Sequence, residues 1–188
     1  MQNIIKYPGL KEELYLWNFK PDKKYFEKLG LKTNKKIIFV RPEASEAGYI
    51  KEINFMTDLI SQLCKDCTIV LMPRSAEQKE YYAKLFGAKI FIPPKALDGP
   101  NAICNSDLLV SAGGTMNREA IVLGTPALSL YHEKLLSVDA WLIKEGYMHH
   151  DLTPNKNYID AMLKSKQKCY KASRKTLDFF INFMQSFA

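Results

Sequence analysis

The chain has 188 residues, of which 47% are hydrophobic, and it carries a formal net charge of +7. This size and composition fit one globular domain, with a core large enough to need neither disulfides nor a metal. The longest apolar runs, such as residues 37–40, have the length of a strand. They are far shorter than the ~20 residues of a membrane-spanning helix. The N-terminus also lacks the basic and apolar regions of a signal peptide, so we expect a cytoplasmic protein.

Two features of the composition raise the question of a metal or a nucleic-acid partner. Cys64 and Cys67 have the two-residue gap of zinc and redox sites. No second ligand pair with a matching gap is present, and the pair is expected to end a helix, so we expect two reduced thiols and no metal. The lysine-rich segments lack the interleaved aromatic residues of an RNA-binding surface, so nucleic acid is not expected. Peripheral contact with an anionic membrane surface stays an alternative.

The apolar pattern predicts three segments in chain order. Residues 1–35 form a lead-in segment with a turn and a short helix that stops at Gly30. Residues 36–155 alternate strands with amphipathic helices and form a Rossmann-like nucleotide-binding domain. Residues 156–188 form a C-terminal helical segment, which packs back on the sheet or on a missing N-terminal domain.

The strands of the middle segment are continuously apolar, which is typical of a parallel sheet covered on both faces. The pattern predicts strands over residues 36–41, 68–72, 89–92, 107–111 and 126–130. We therefore predict an α/β fold, a Rossmann-like doubly wound parallel sheet of about six strands with helices on both faces. Adjacent histidines on a strand point to opposite faces, so His149 and His150 are expected to be an edge pair and not a metal site.

Two glycines lie between a predicted strand and a predicted helix. Gly113 and Gly114 allow the backbone to approach a ligand closely, and the helix that follows at Thr115 offers unpaired N–H groups. This arrangement can bind a phosphate or diphosphate. Asn117 lies in the first turn, and one turn into the helix Glu119 can accept hydrogen bonds from ribose hydroxyls. The alternative is a tight turn with an acid that only favours the helix dipole.

Basic residues follow other strands at the edge where ligands bind in such sheets. Arg41 and Arg74 come directly after two strands, and Lys134 lies in a later strand-end loop. Arginine can form bidentate hydrogen bonds with phosphate, so these three residues are candidates for the same site. Structural salt bridges to Glu43 or Glu77 are the alternative. No catalytic residue is assigned.

The two-glycine segment also carries a resemblance to known proteins. The run Ser-Ala-Gly-Gly-Thr-Met-Asn-Arg-Glu-Ala ends at Ala120 and is followed by Gly-Thr-Pro at residues 124–126. This combination resembles the C-terminal domain of GT-B proteins, such as the lipid-II-forming N-acetylglucosaminyltransferase and the UDP-N-acetylglucosamine 2-epimerases. Over almost the whole chain, further motifs resemble the uncharacterised domain-of-unknown-function 354 family. These motifs are Tyr-Pro-Gly-Leu at 7–10, Val-Arg-Pro at 40–42, Pro-Arg-Ser at 73–75 and Asp-Gly-Pro-Asn at 98–101.

The resemblance implies that the chain is one half of a GT-B fold and binds a nucleotide-sugar, with UDP as the nucleotide. The base would lie against the backbone of Phe91 and Ile92, the diphosphate on the two-glycine turn and the ribose on Glu119. No cofactor is implied. The chain would be inactive without an N-terminal domain or a separate partner subunit. The alternatives are a UDP-sugar 2-epimerase-like half, and a non-enzymatic module that binds a partner or a second copy of itself.

Overall fold

The computed structural model describes residues 5–43 and 49–187, and for residues 49–55 it describes the backbone alone. Within these residues, five strands form one parallel sheet: β1 (Ile37–Arg41), β2 (Thr68–Leu71), β3 (Leu108–Ser111), β4 (Ala127–Ser129) and β5 (His149–His150). Their order is β2-β1-β3-β4-β5. The chain therefore moves to one side of β1 first and later to the other side. In such sheets the crevice beside this switch, at the carboxyl ends of β1 and β3, is where ligands bind.

Helices connect the strands and extend beyond them at both ends of the chain. They are α1 (Glu13–Leu16), α2 (Tyr25–Lys28), α3 (Tyr49–Leu63), α4 (Ala76–Phe86), α5 (Gly99–Cys104), α6 (Gly114–Leu123), α7 (Ser137–Lys144), α8 (Lys156–Lys164) and α9 (Lys175–Gln185). A 3-10 turn covers Gly87–Lys89. The helical spacing of apolar residues over 47–65 predicts that α3 begins at residue 47, and this beginning lies outside the described residues. None of the helices in the described part of the chain has the length and apolarity needed to cross a bilayer.

Both faces of the sheet are buried, because alternate residues of β1, β2, β3 and β4 enter two separate core clusters. Ile38 of β1 packs in one cluster with Ile60 of α3 and Ile159 of α8. Its neighbour Phe39 packs on the opposite face, in a cluster that contains Ala120 of α6. The predicted α/β class, with a doubly wound parallel sheet and helices on both faces, is confirmed.

The predicted strand over residues 89–92 is shorter than expected. Only Phe91 pairs, in a single bridge with Val70 of β2. Proline cannot donate a ladder hydrogen bond, so the two prolines at residues 93–94 end the pairing at once. The sheet therefore has five strands and one bridge, and the fifth strand is the histidine pair His149–His150 at its edge.

Two adjacent buried carboxylates fasten the lead-in segment to the body of the domain. Glu13 accepts hydrogen bonds from the backbone N–H of Leu10 at 3.2 Å and of Ser173 at 2.9 Å, and from the Thr176 hydroxyl at 2.5 Å. It thereby joins α1 to the beginning of α9. Glu12, with no exposed surface, points instead toward α6. The lead-in segment is thus held between the C-terminal helix and the helix that begins at the two-glycine turn.

Candidate functional site

The amino end of α6 is partly exposed and is not capped by a side chain. Gly113 is the N-cap residue, and its own N–H donates to the Ser111 hydroxyl at 3.0 Å. The N–H groups that begin the helix, at Gly114 and Thr115, have no acceptor within the helix, because the first turn has no preceding carbonyl to pair with. They also lie at the positive end of the helix dipole. The turn therefore has the features of an anion-binding site at the carboxyl end of β3.

Arg74 lies directly against this turn. A Cβ atom added to Gly113 would lie 2.7 Å from Arg74 Nη2. The Arg74 Nε donates to the carbonyl oxygen of Pro42 at 2.6 Å, which fixes the guanidinium over the end of β1. Burial lowers the pKa of Arg74, and the charge of Glu43 acts in the opposite direction. The structure thus brings Arg74 and Gly113 together, as the strand-end reasoning expects.

Arg41 lies beside Arg74 and is held in a similar way. Its Nη1 donates to the carbonyl oxygens of Met72 at 2.9 Å and Pro73 at 2.7 Å. Burial lowers the pKa of Arg41, and the charge of Arg74 lowers it further. The side-chain hydrogen bonds of Arg41 and Arg74 go to carbonyl oxygens, and the charge of Glu43 also acts on Arg74. A phosphate could accept their remaining N–H groups.

A buried glutamine that the sequence reasoning missed joins the loops that carry these arginines. Gln78 Oε1 accepts from the backbone N–H of Arg74 at 2.8 Å, and its Nε2 donates to the carbonyl oxygen of Glu43 at 2.9 Å. The backbone N–H of Gln78 donates to the Ser75 hydroxyl, and Ser75 is the N-cap residue of α4. Serine followed three residues later by glutamine is a capping-box pattern, and this signal could have identified Gln78.

A cavity of about 470 Å³ opens beside the arginines, at the carboxyl end of β2. Its charged lining residues are all basic: Arg41, Arg74, Lys79 and Lys95. The residues that follow Ile92, from Pro93 onward, line this cavity. Phe91 uses its N–H to donate to Ile69 and its carbonyl oxygen to accept from Leu71, at 2.8 and 2.9 Å. Phe91 and Ile92 are the two residues predicted to contact a base through the backbone. Because the backbone groups of Phe91 are already hydrogen-bonded in the sheet, Ile92 is the better placed of the two.

The other side of the two-glycine turn is occupied by a buried cluster of charges. Arg118 Nε donates to Glu12 at 2.9 Å, and its Nη1 donates to both oxygens of Asp139 at 2.9 and 3.1 Å. All three side chains are buried, and a Cβ atom on Gly114 would lie 2.8 Å from Arg118 Nη1. Burial acts to lower the pKa of Arg118, but hydrogen bonds to Asp139 and Glu12 raise it overall. This cluster was not predicted, since no local pattern joins residues of three distant segments.

The remaining predicted site residues differ in their burial and in their hydrogen-bond partners. Glu119 is half-buried, and its Oε1 accepts a hydrogen bond from the Tyr15 hydroxyl at 2.8 Å. Asn117 is fully buried beneath the turn, where its Nδ2 donates weakly to the carbonyl oxygen of Ser111 at 3.4 Å. Thr115 is exposed at the beginning of α6. Lys134 is exposed between β4 and α7, and within the described residues no hydrogen bond or ion pair joins it to the other candidates.

The described residues contain no cluster of three histidine, cysteine or acidic side chains that could hold a metal ion. The groups that converge on the crevice are backbone N–H donors and guanidinium groups. What this arrangement can do chemically is bind a dianionic or trianionic group and stabilise negative charge on it.

The fold matches one half of solved GT-B enzymes. The UDP-N-acetylglucosamine 2-epimerase of Methanocaldococcus jannaschii superposes on 88% of this chain with a TM-score of 0.67 and 14% sequence identity, and this match covers 50% of the epimerase. A structure of MnaA from S. aureus, solved with UDP, matches 90% of the chain with a TM-score of 0.61 and 18% identity, over 48% of its own length. The fold is therefore that of a GT-B half.

The sequence itself places the chain in a family. The model of the family described as "Protein of unknown function (DUF354)" matches residues 1–185, so the chain belongs to this family. An uncharacterised protein of Methanocaldococcus jannaschii is 34% identical over 146 residues, which are 76% of this chain and 42% of that protein. The chain thus spans less than half the length of this relative and about half the length of the epimerases.

Proposed function

We propose that the chain is the nucleotide-sugar-binding half of a glycosyltransferase-like protein, and that it binds a UDP-sugar through its diphosphate. The observation that carries this proposal is the contact of Arg74 with Gly113 at the uncapped beginning of α6. Backbone donors, the helix dipole and the guanidinium of Arg74 act on the same volume. Each of these favours a phosphate group, and together they favour a diphosphate.

In the proposed complex, the diphosphate accepts hydrogen bonds from the N–H groups of Gly114 and Thr115. Arg41 approaches it from the end of β1, which lies next to β3, and Arg74 approaches it from the end of β2, on the far side of β1. The base lies against the backbone at Ile92, beside the cavity at the end of β2. The ribose hydroxyls donate to Glu119, and Lys134 is an outer contact.

This arrangement would serve the chemistry of a departing nucleoside diphosphate. When the bond to the sugar breaks, negative charge grows on the diphosphate, and fixed donors that point at that charge stabilise the transition state. The helix beginning and the two arginines supply such donors without a metal ion. A further domain or a partner chain would bind the acceptor and supply the general base, since the chain spans only about half the length of its structural neighbours.

Titration calorimetry with UDP, UMP, uridine and UDP-N-acetylglucosamine tests the proposal. We expect UDP to bind, with affinity decreasing from UDP to UMP to uridine as the phosphates are removed. ADP and CDP in the same series measure how much the base contributes. A chain that binds uridine as tightly as UDP, or that binds none of these ligands, would contradict the proposed diphosphate site.

A further inference from the structure

A tyrosine of the lead-in segment touches the residue assigned to the ribose. The Tyr15 hydroxyl donates to Glu119 Oε1 at 2.8 Å, across 104 residues of sequence. Tyr15 itself is 51% exposed, although it lies on α1 among buried neighbours. An exposed tyrosine that donates to a half-buried carboxylate is placed to act on that carboxylate and on what binds to it.

The position of Tyr15 is fixed from two sides. Glu12, at the beginning of α1, accepts from Arg118, the residue that precedes Glu119 on α6. Glu13 fastens the same short helix to Ser173 and Thr176 at the beginning of α9. The backbone of α1 therefore cannot move relative to α6 without breaking buried polar contacts, which keeps Tyr15 within reach of Glu119.

We propose that Tyr15 is a positioning residue that orients the Glu119 carboxylate for ribose and makes the site select ribonucleotides over deoxyribonucleotides. This inference rests on the proposed function. An ionised carboxylate has about four lone-pair positions, and Tyr15 uses one of them on Oε1. The Oε2 atom and the second position on Oε1 stay available for two neighbouring hydroxyls. A fixed carboxylate also loses less side-chain freedom when a ligand binds.

Charges from each element packed around Glu119 decide how readily it ionises. Burial raises the pKa of Glu119, the hydrogen bond from Tyr15 lowers it, the charge of Glu12 raises it, and the charges of Arg118 and Lys11 lower it. Only the carboxylate form accepts two hydroxyl donors. Ribose recognition should therefore be complete at high pH and lost as pH falls through the pKa of Glu119. Without the Tyr15 hydroxyl that pKa rises, so the loss begins at higher pH.

The test measures the dissociation constants of UDP and 2′-deoxy-UDP from pH 5 to 8 for the wild-type chain, Tyr15→Phe and Tyr81→Phe. We expect wild type to prefer UDP by about tenfold, because a missing hydroxyl leaves a carboxylate position unpaired. Tyr15→Phe keeps the ring but should reduce this preference about threefold or more, and should move the acid loss of UDP binding to higher pH. Tyr81 is also exposed, and its hydroxyl contacts Thr57 on another surface, so Tyr81→Phe should match wild type.

The outcomes separate this inference from the proposed function. If the wild-type chain binds no UDP, the proposed function fails. If it binds UDP but Tyr15→Phe binds UDP more tightly, Tyr15 obstructs the ribose and the inference is overturned. An equal weakening of UDP and 2′-deoxy-UDP, with an unchanged pH profile, would show a merely structural role and would also overturn it. In both of these cases the diphosphate site stands.

Discussion

The two sides of the Gly113–Gly114 turn use arginine in opposite ways. On the inner side, Arg118 is 7% exposed, and its Nε and Nη1 are paired with the carboxylates of Glu12 and Asp139. On the outer side, Arg74 is exposed and its Nε is held by a backbone carbonyl oxygen. Arg118 is neutralised by two carboxylates and stabilises the fold, whereas Arg74 is the arginine that we propose binds the ligand. If the proposal holds, two arginines at the same turn have a structural role and a binding role because their partners differ.

The largest expected effect comes from breaking the inner side. Arg118→Ala leaves Glu12 and Asp139 buried with like charges and no counter-ion, and removal of one partner of a buried ion pair costs about 3–5 kcal/mol. We expect the free energy of unfolding, measured by urea denaturation, to fall by that amount. Arg174→Ala removes an arginine from the exposed pair with Asp178 and is the matched control, for which we expect no measurable change. Equal effects of the two substitutions would contradict the distinction.

The corresponding substitution on the outer side should affect binding and leave stability almost unchanged. Hydrogen bonds to a charged group contribute about 1.5–3 kcal/mol, so Arg74→Ala should weaken UDP binding by roughly 10- to 100-fold. Calorimetry measures the affinity, and urea denaturation checks the fold. Lys84→Ala removes the same charge from an exposed position in the last turn of α4 and should bind UDP like wild type. If Lys84→Ala weakens binding as much as Arg74→Ala, the site depends on net charge alone.

The adjacent glycines offer the sharpest contrast, because one methyl group is added on each side. The backbone of Gly113 is extended, at φ −125°, so alanine is allowed there, and its Cβ would displace only the end of the Arg74 side chain. Gly113→Ala should weaken UDP binding by about tenfold, with a change in unfolding free energy within about 0.5 kcal/mol. Gly114→Ala presses on Arg118 and on Asp139 Oδ2, at 2.8 and 3.3 Å, and should cost about 1–3 kcal/mol of stability. If Gly113→Ala mainly lowered stability and Gly114→Ala mainly weakened UDP binding, the assignment of a binding side and a structural side would be contradicted.

The smallest expected effect concerns the support of the outer side. Ser75→Ala removes the hydroxyl that accepts from the N–H of Gln78 at the beginning of α4, and loss of such a cap costs about 1 kcal/mol. Because Gln78 also accepts from the backbone of Arg74, we expect a small parallel loss of UDP affinity. The control is Ser61→Ala, an exposed position within α3. An unchanged thermal midpoint in Ser75→Ala would mean that the capping box does not hold this loop.

The sequence predicts those parts of the molecule whose structure depends on residues close together in the chain. The order of strands and helices, the Ser75 cap and the two-glycine turn are all local patterns, and the structure contains each of them. The bridge at Phe91 was predicted as a full strand, because its apolar run outweighed the prolines that follow. The strand His149–His150 is too short and too polar for an apolar pattern to predict.

The inner charge cluster could not be predicted, for a different reason. Arg118 and Glu12 are 106 residues apart, and Arg118 and Asp139 are 21 apart, so their pairing depends on the tertiary fold. Strand-end reasoning placed Arg41 and Arg74 at one edge, because the carboxyl ends of parallel strands meet there. The same reasoning gave no sign that Asn117 would be buried beneath the turn.

The direct test of the diphosphate site is a titration of the 15N-labelled chain with UDP, followed by amide NMR shifts. We predict that the largest shifts fall on the N–H groups of Gly114, Thr115 and Met116, which begin α6, together with the Arg74 side chain. The amides near the groove around Lys23 and Lys32, on another surface, should stay unchanged and serve as an internal control. Shifts confined to that groove, with no change at the beginning of α6, would contradict the proposed site.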